Sequence, residues 1–183
     1  KAADQLAKIP LQHQPGAKWT YGLSVDILGA LIEIWSGESL ENYMKSSVFK
    51  PLNMKDTFFD IPKNKLNRFV SCHTWEDNRQ VIVDKWSESA YRDGFEFHSG
   101  GGGLVSTLGD YSQFSQMLAG WGQFNGTRIL KAETLKEMFR NQVLPGGGNS
   151  FGLGFAVERA KISGADKPLG QYGWAGYANT EFR

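Results

Sequence analysis

Residues Pro15–Gly37, PGAKWTYGLSVDILGALIEIWSG, carry the strongest structural signal in the chain. Pro15-Gly16 marks a turn, because proline presets one backbone angle and glycine accepts the next. From Ser24 onward Ile27, Leu28, Leu31, Ile32 and Trp35 recur at spacings of three and four, the period of one face of an α-helix. Ser36-Gly37 ends that helix, since glycine suits the left-handed position after a last turn. Tyr21 stands between turn and helix, where an aromatic ring could simply pack on the core.

Downstream, Ser39 reads as an N-cap, with Leu40, Tyr43, Met44 and Phe49 carrying a second helix that Pro51 ends. Phe69–Trp75 and Gln80–Trp86 are β-rich runs around Glu76-Asp77-Asn78-Arg79, a predicted hairpin. Thr107 and Asp110 imitate a capping box, with Asp in place of the usual Glu or Gln. Tyr111, Phe114, Met117 and Leu118 give the helix after them its apolar face. Asn125-Gly126 is a turn signal. A further helix is predicted over Ala132–Arg140, with Leu135, Met138 and Phe139 inward. The chain then turns strand-like through Phe155-Ala156-Val157 and Tyr177–Phe182. Helices and small β elements come first and strands last, which predicts an α+β chain. It divides into a mostly helical part, 1–145, and the opening strands of an α/β domain, 146–183. The last strand-like run stops at Arg183 without a successor to pair with, so the natural chain is expected to continue.

Composition narrows the function. Lys and Arg total 20 against 19 for Asp and Glu, a net charge of +1 that attracts neither nucleic acid nor an anionic membrane surface. A hydrophobic fraction of 40% fills a core, and an ordinary charged fraction of 21% argues against disorder. No apolar run approaches the ~18–20 residues of a membrane span. Cys72 is the one cysteine, which rules out an internal disulfide and is compatible with either a periplasm or a cytoplasm. Glycine is high, with 22 residues clustered at Gly100–Gly103, Gly146–Gly148 and Gly152–Gly154, a pattern of tight turns and close backbone approaches around a cleft. A small, uncharged partner fits this chain best.

Several chemistries fall away on spacing. His13, His73 and His98 have no helical i, i+4 partner and no neighbouring cysteine pair, so no metal site is expected, and no organic cofactor is implied. Gly100–Gly103 lead into Leu-Val-Ser-Thr, not the Lys-Ser/Thr of a phosphate-binding loop. Gly22-Leu23-Ser24 lacks the closing glycine of a nucleophile elbow.

Three stretches in order resemble the serine β-lactamase and penicillin-binding superfamily. They are PGAKWTYGLSVDILGALIEIWSG; then HSGGGGLVSTLGDYSQFSQML, from His98; then FGLGFAV from Phe151 with YGWAGYANTEF from Tyr172. PLNM at Pro51–Met54 is a fourth familiar segment. The closest resemblance is to the class C-like branch that includes the family VIII carboxylesterases. It implies a β-lactamase/transpeptidase-like fold, here incomplete: the helical domain plus the first strands of the C-terminal part of the sheet.

The resemblance also implies acyl transfer. In the family a serine of a Ser-x-x-Lys motif attacks a carbonyl, and a tyrosine acts with the lysine to move the proton. Tyr21 matches that tyrosine. A phenol, with an ordinary pKa near ~10, serves as a base only beside a cation, which that lysine supplies. Trp174-Ala175-Gly176 stands where classical members have Lys-Thr-Gly, and the N–H of Tyr177 then matches an oxyanion donor. The family's polar Asn position falls on Leu23 or Ser24. Tryptophan in place of lysine weakens recognition of a substrate carboxylate, which favours esters over β-lactams. A D-stereospecific peptidase or D,D-carboxypeptidase on the same fold, and a non-catalytic binding homologue, are the alternatives.

One literal Ser-x-x-Lys exists, Ser47-Val48-Phe49-Lys50. It follows Tyr21, whereas the family's serine precedes the tyrosine, so it reads as a solvated helix end. The nucleophile is therefore expected outside this sequence, and the rest of the protein's own chain is an expected partner.

Overall fold

The computed structural model describes residues 2–143, 150–157, 172–176, 178 and 180–182. The elements run α1 (Ala2–Leu6), α2 (Ser24–Ser36), α3 (Leu40–Met44), β1 (Cys72–Glu76), β2 (Arg79–Asp84) and α4 (Ala90–Asp93). After them come α5 (Leu108–Ala119), β3 (Gln123–Phe124), β4 (Thr127–Arg128), α6 (Ala132–Met138), β5 (Ala156–Val157), β6 (Tyr172–Ala175) and β7 (Glu181–Phe182). Contacts group these into two units, residues 23–111 and residues 1–22 with 112–183. Among the described residues no helix is long and apolar enough to cross a membrane.

In the unit of residues 23–111, α2 has the boundaries its periodicity predicts, and Gly37 takes the left-handed φ of 73° that stops it. The Ser39 Oγ accepts the Asn42 N–H, and Glu33 Oε1 accepts the Leu40 N–H, so two of the orphan donors that open α3 are satisfied. The second helix does not continue as α. Residues 45–49 widen into a π turn, with the Lys50 N–H bonded to the Lys45 carbonyl. Spacing of three aligns side chains on an α-helix but not on this wider turn. Ser47 and Lys50 are both exposed there. Leu40, Phe49, Leu52, Met54 and Phe59 form the apolar core of this unit.

Within this chain only part of the apolar face of α2 is covered, with Leu31 and Ile32 half-buried. Asp26 and Gly29 are buried, whereas Ile27, Leu28, Ile34 and Trp35 are exposed. Gly29 lets the glycine cluster approach closely: a Cβ on Gly100 would lie 2.5 Å from the Val25 carbonyl oxygen. Here glycine is required by space, as its clustering predicts.

β1 and β2 pair antiparallel with Glu76 opposite Arg79, leaving a two-residue loop, Asp77-Asn78. Both loop residues have positive φ, 46° and 60°, which matches the twist of a tight hairpin. The strands are shorter than the β-rich runs around them. At the start of α5, the Asp110 N–H donates to Thr107 Oγ1, the first half of a capping box. The Asp110 carboxylate serves the rest of the unit, accepting from the Asp56 N–H at 2.6 Å and the Thr57 hydroxyl at 3.0 Å.

In the other unit, among the described residues, Met117, Leu118, Leu135, Phe139, Phe155 and Val157 are the buried large apolar side chains. Asn125-Gly126 turns β3 into β4, with φ of 46° and 78°. β5, β6 and β7 form an antiparallel sheet in sequence order. Among the described residues of the strand-like run predicted over Tyr177–Phe182, Glu181–Phe182 form a strand, paired with β6, which itself pairs with β5. Between β6 and β7 the Gly176 N–H donates to the Thr180 carbonyl at 2.7 Å. The glycines at 146–148 lie outside the described residues.

Candidate functional site

Tyr21 and Trp174 lie 153 positions apart, yet their rings stack at 5.9 Å with an interplanar angle of 25°. Trp19 and Phe151 complete a closed set. Trp19 lies 6.5 Å from Tyr21 and 5.2 Å from Phe151, and Phe151 meets Trp174 edge-on at 5.2 Å. All belong to the unit of residues 1–22 and 112–183. Separations of this size and tilted geometries are those that aromatic quadrupoles favour.

Each ring is held by its element. Trp174 sits in β6, opposite Phe182 of β7. The Phe151 N–H donates to Asn141 Oδ1 at 3.0 Å, and the Phe151 carbonyl accepts from the Gln142 N–H at 2.8 Å. The segment bearing Trp19 and Tyr21 is braced by His13, whose Nε2 lies 2.7 Å from Thr20 Oγ1 while Nδ1 lies 3.2 Å from the Gln14 carbonyl. A carbonyl only accepts, so Nδ1 carries the proton and, in the neutral ring, Nε2 accepts from the threonine hydroxyl. Within this chain Tyr21 is 70% exposed, Trp19 41% and Trp174 37%.

Of the other sequence-predicted residues, Ala175 and Gly176 follow Trp174 directly and are exposed. A side chain at Gly176 would crowd Thr180, its Cβ 2.7 Å from Oγ1. Tyr177 lies outside the described residues. Leu23 and Ser24 are exposed, at the N-cap and first position of α2, and belong to the unit of residues 23–111.

Sequence reading missed two groupings in that unit. Asp26, 8% exposed, accepts the Ser99 hydroxyl at 2.5 Å and faces the Gly101 N–H at 3.4 Å. The Ser99 Oγ in turn accepts the N–H groups of Gly101 and Gly102, both at 3.1 Å. An acid in the first turn of one motif's helix thus fixes the start of the next motif's glycine loop. The second grouping is Glu41, Asp60 and His98, whose ligand-type atoms lie within 4.8 Å of one another. His98 Nε2 is 3.2 Å from Asp60 Oδ2, and its ring stacks on Phe59 at 4.8 Å. Residue spacing could not reveal this cluster. Its exposed aspartate is already shared between His98 and the Phe95 N–H, and no buried unpaired ligand points into it.

Known proteins place the chain. It is 29% identical to protein Rv1367c of Mycobacterium tuberculosis over 191 aligned positions, covering 96% of this chain and 47% of that protein. Two solved structures share its fold closely. EstCE1, a hydrolase with promiscuous acyltransferase activity, matches with a TM-score of 0.71 at 26% identity, over 83% of this chain and 44% of that one. The LovD6 mutant of simvastatin synthase from Aspergillus terreus matches with a TM-score of 0.70 at 26% identity, over 86% and 45%. The chain therefore spans less than half the length of each of these relatives. Its mixed helix and strand structure is β-lactamase/transpeptidase-like, as these neighbours are. The family model described as Beta-lactamase matches residues 1–183, and the chain belongs to that family.

Proposed function

We propose that this chain forms part of a serine hydrolase that works by acyl-enzyme transfer and favours uncharged esters. Tyr21 moves the proton of the attacking hydroxyl, Trp174-Ala175-Gly176 lines the cleft, and the Tyr177 N–H is an oxyanion donor. In the whole protein residues 1–145 belong to the helical domain and 146–183 to the opening strands of the α/β domain. Within this sequence no serine precedes Tyr21, and Ser47 and Lys50 are exposed on the π turn, so neither is assigned as the nucleophile or its lysine.

The observation that carries this reading is the stack of Tyr21 on Trp174. Residues picked from two separate motifs share one place, and the residue facing the phenol is an apolar ring where a lysine would select a carboxylate. One relative's name is in keeping with it: a lovastatin esterase from Penicillium rubens is 26% identical over 79% of this chain; a putative D-alanyl-D-alanine carboxypeptidase from Escherichia coli, 27% identical over 84%, keeps the peptidase alternative in the test.

The test is Tyr21→Phe in the whole protein, assayed on p-nitrophenyl esters, nitrocefin and a D-Ala-D-Ala peptide. Loss of a general base lowers kcat by at least ~100-fold with circular dichroism unchanged. A loss of tenfold or less would make Tyr21 a packing residue. Peptide turnover without ester turnover would overturn the ester preference.

A further inference from the structure

We infer that His13 and Thr20 form a clasp that positions Tyr21 for proton transfer, which makes His13 a positioning residue of this site. The inference rests on the proposed role of Tyr21. Among the described residues, one hydrogen bond holds the stretch 18–22: His13 Nε2 lies 2.7 Å from Thr20 Oγ1. Tyr21 itself makes none among them, and its ring meets those of Trp19 and Trp174. Ring contacts tolerate a broad range of separations and tilts, whereas a hydrogen bond is confined to a few tenths of an ångström. The clasp is therefore the sharper constraint on where Tyr21 stands.

His13 is itself held at its other nitrogen. Its Nδ1–H donates to the Gln14 carbonyl at 3.2 Å, and that carbonyl also accepts the Ala17 N–H at 3.1 Å. The second bond closes a turn through Pro15 and Gly16, whose φ of 80° suits the third position of a type II turn. Turn and clasp together make residues 13–20 a closed loop. The Cα of Tyr21 lies only ~3.8 Å beyond that of the anchored threonine. A phenol that takes a hydroxyl proton tolerates little drift, since a misplacement of ~1 Å costs about 100-fold in rate. Neither His13 nor Thr20 has to touch the substrate to exert this control.

The experiment uses the whole protein and p-nitrophenyl butyrate. Thr20→Val is nearly isosteric and removes the hydroxyl; His13→Ala removes its partner. Each is expected to lower kcat roughly 10- to 100-fold with KM changed less than about threefold. The double variant is expected to be no worse than either alone, because the two residues act as a unit. Thr20→Ser, which keeps the hydroxyl, is expected to restore most of the rate. In a Tyr21→Phe background neither substitution is expected to lower the residual rate further. Effects that multiply in the double variant, a loss undiminished in Tyr21→Phe, or a costly His13→Ala beside a harmless Thr20→Val would overturn the inference.

Nitrogen-15 NMR of the imidazoles reads the clasp without turnover. In the clasp His13 carries its proton on Nδ1, and Thr20→Val, by leaving Nε2 without its donor, is expected to shift the ring toward the Nε2–H tautomer. A tautomer indifferent to Thr20→Val would show that no clasp holds in solution, and would sink the inference. The catalytic reading is judged separately. Tyr21→Phe without effect on turnover removes both, whereas a large Tyr21→Phe effect beside a harmless Thr20→Val removes only the clasp.

Discussion

Removing the carboxylate of Asp26 tests whether the helix after Tyr21 and the glycine loop are one built unit. The side chain is 8% exposed and accepts the Ser99 hydroxyl at 2.5 Å. A hydrogen bond to a charged acceptor contributes about 1.5–3 kcal/mol net. The Gly101 N–H, at 3.4 Å, is too distant to add much. A position in the first turn of α2 adds ~0.3–1 kcal/mol through the helix dipole. Against these stands the desolvation of a buried charge, which Asp26→Ala relieves. The expected net loss is about 2 kcal/mol, seen as a lower urea midpoint at an unchanged m-value. Asp26→Asn keeps an acceptor and loses the charge, so about half that loss is expected. Urea unfolding followed by tryptophan fluorescence measures both, and a cycle with Ser99→Ala isolates the pair, with a coupling of ~1 kcal/mol or more expected. If Asp26→Ala costs under ~0.5 kcal/mol, or adds independently to Ser99→Ala, then Asp26 does not hold the glycine loop.

Two further outcomes follow from the same unit. Gly100→Ala places a Cβ 2.5 Å from a backbone oxygen, whereas one on Gly102 meets nothing within 4 Å. Thermal unfolding is expected to show ~1–3 kcal/mol lost for the first and a near-neutral second; equal effects would mean the approach of loop and helix is adjustable. The Asp56 carboxyl is held below its ordinary range by the Lys65 hydrogen bond first and by Arg68 after it. Its folded pKa lies below its unfolded one near ~3.9, so its contribution is present above that range and is lost as pH falls through it. Asp56→Asn is accordingly expected to flatten the stability profile below about pH 4; an unchanged acid limb would remove Asp56 from the account.

Local rules made much of the architecture readable. Gly37 and the period of Ile27, Leu31 and Trp35 bounded α2, and Asp77-Asn78 and Asn125-Gly126 placed both tight turns. What stayed hidden depends on pairs far apart in sequence. Periodicity identifies a helix but not which side its neighbours cover: within this chain α2 buries Asp26 and Gly29, half-buries Leu31 and Ile32, and leaves Ile27, Leu28 and Trp35 exposed. Asp26 was invisible because its partner is 73 residues away. The capping-box pattern at Thr107 and Asp110 was half legible: the backbone half forms, and the carboxylate turns to Asp56 and Thr57 for a reason no local pattern encodes. Tyr21 and Trp174 were named from motifs, and Trp19 and Phe151 only emerged once the rings were seen to close.

That closed ring of Trp19, Tyr21, Trp174 and Phe151 has an optical consequence. Indole and phenol transitions held 5.9 to 6.5 Å apart in fixed, non-parallel planes couple to one another. They give the near-ultraviolet circular dichroism a signature that freely rotating side chains lack. Excitation absorbed by the Tyr21 phenol passes to the neighbouring indoles before it can be emitted, so tyrosine emission from this place is quenched. Anything that slides between the rings or pries them apart changes both signals at once. The protein carries its own spectroscopic probe at the place where chemistry is proposed, with no label attached.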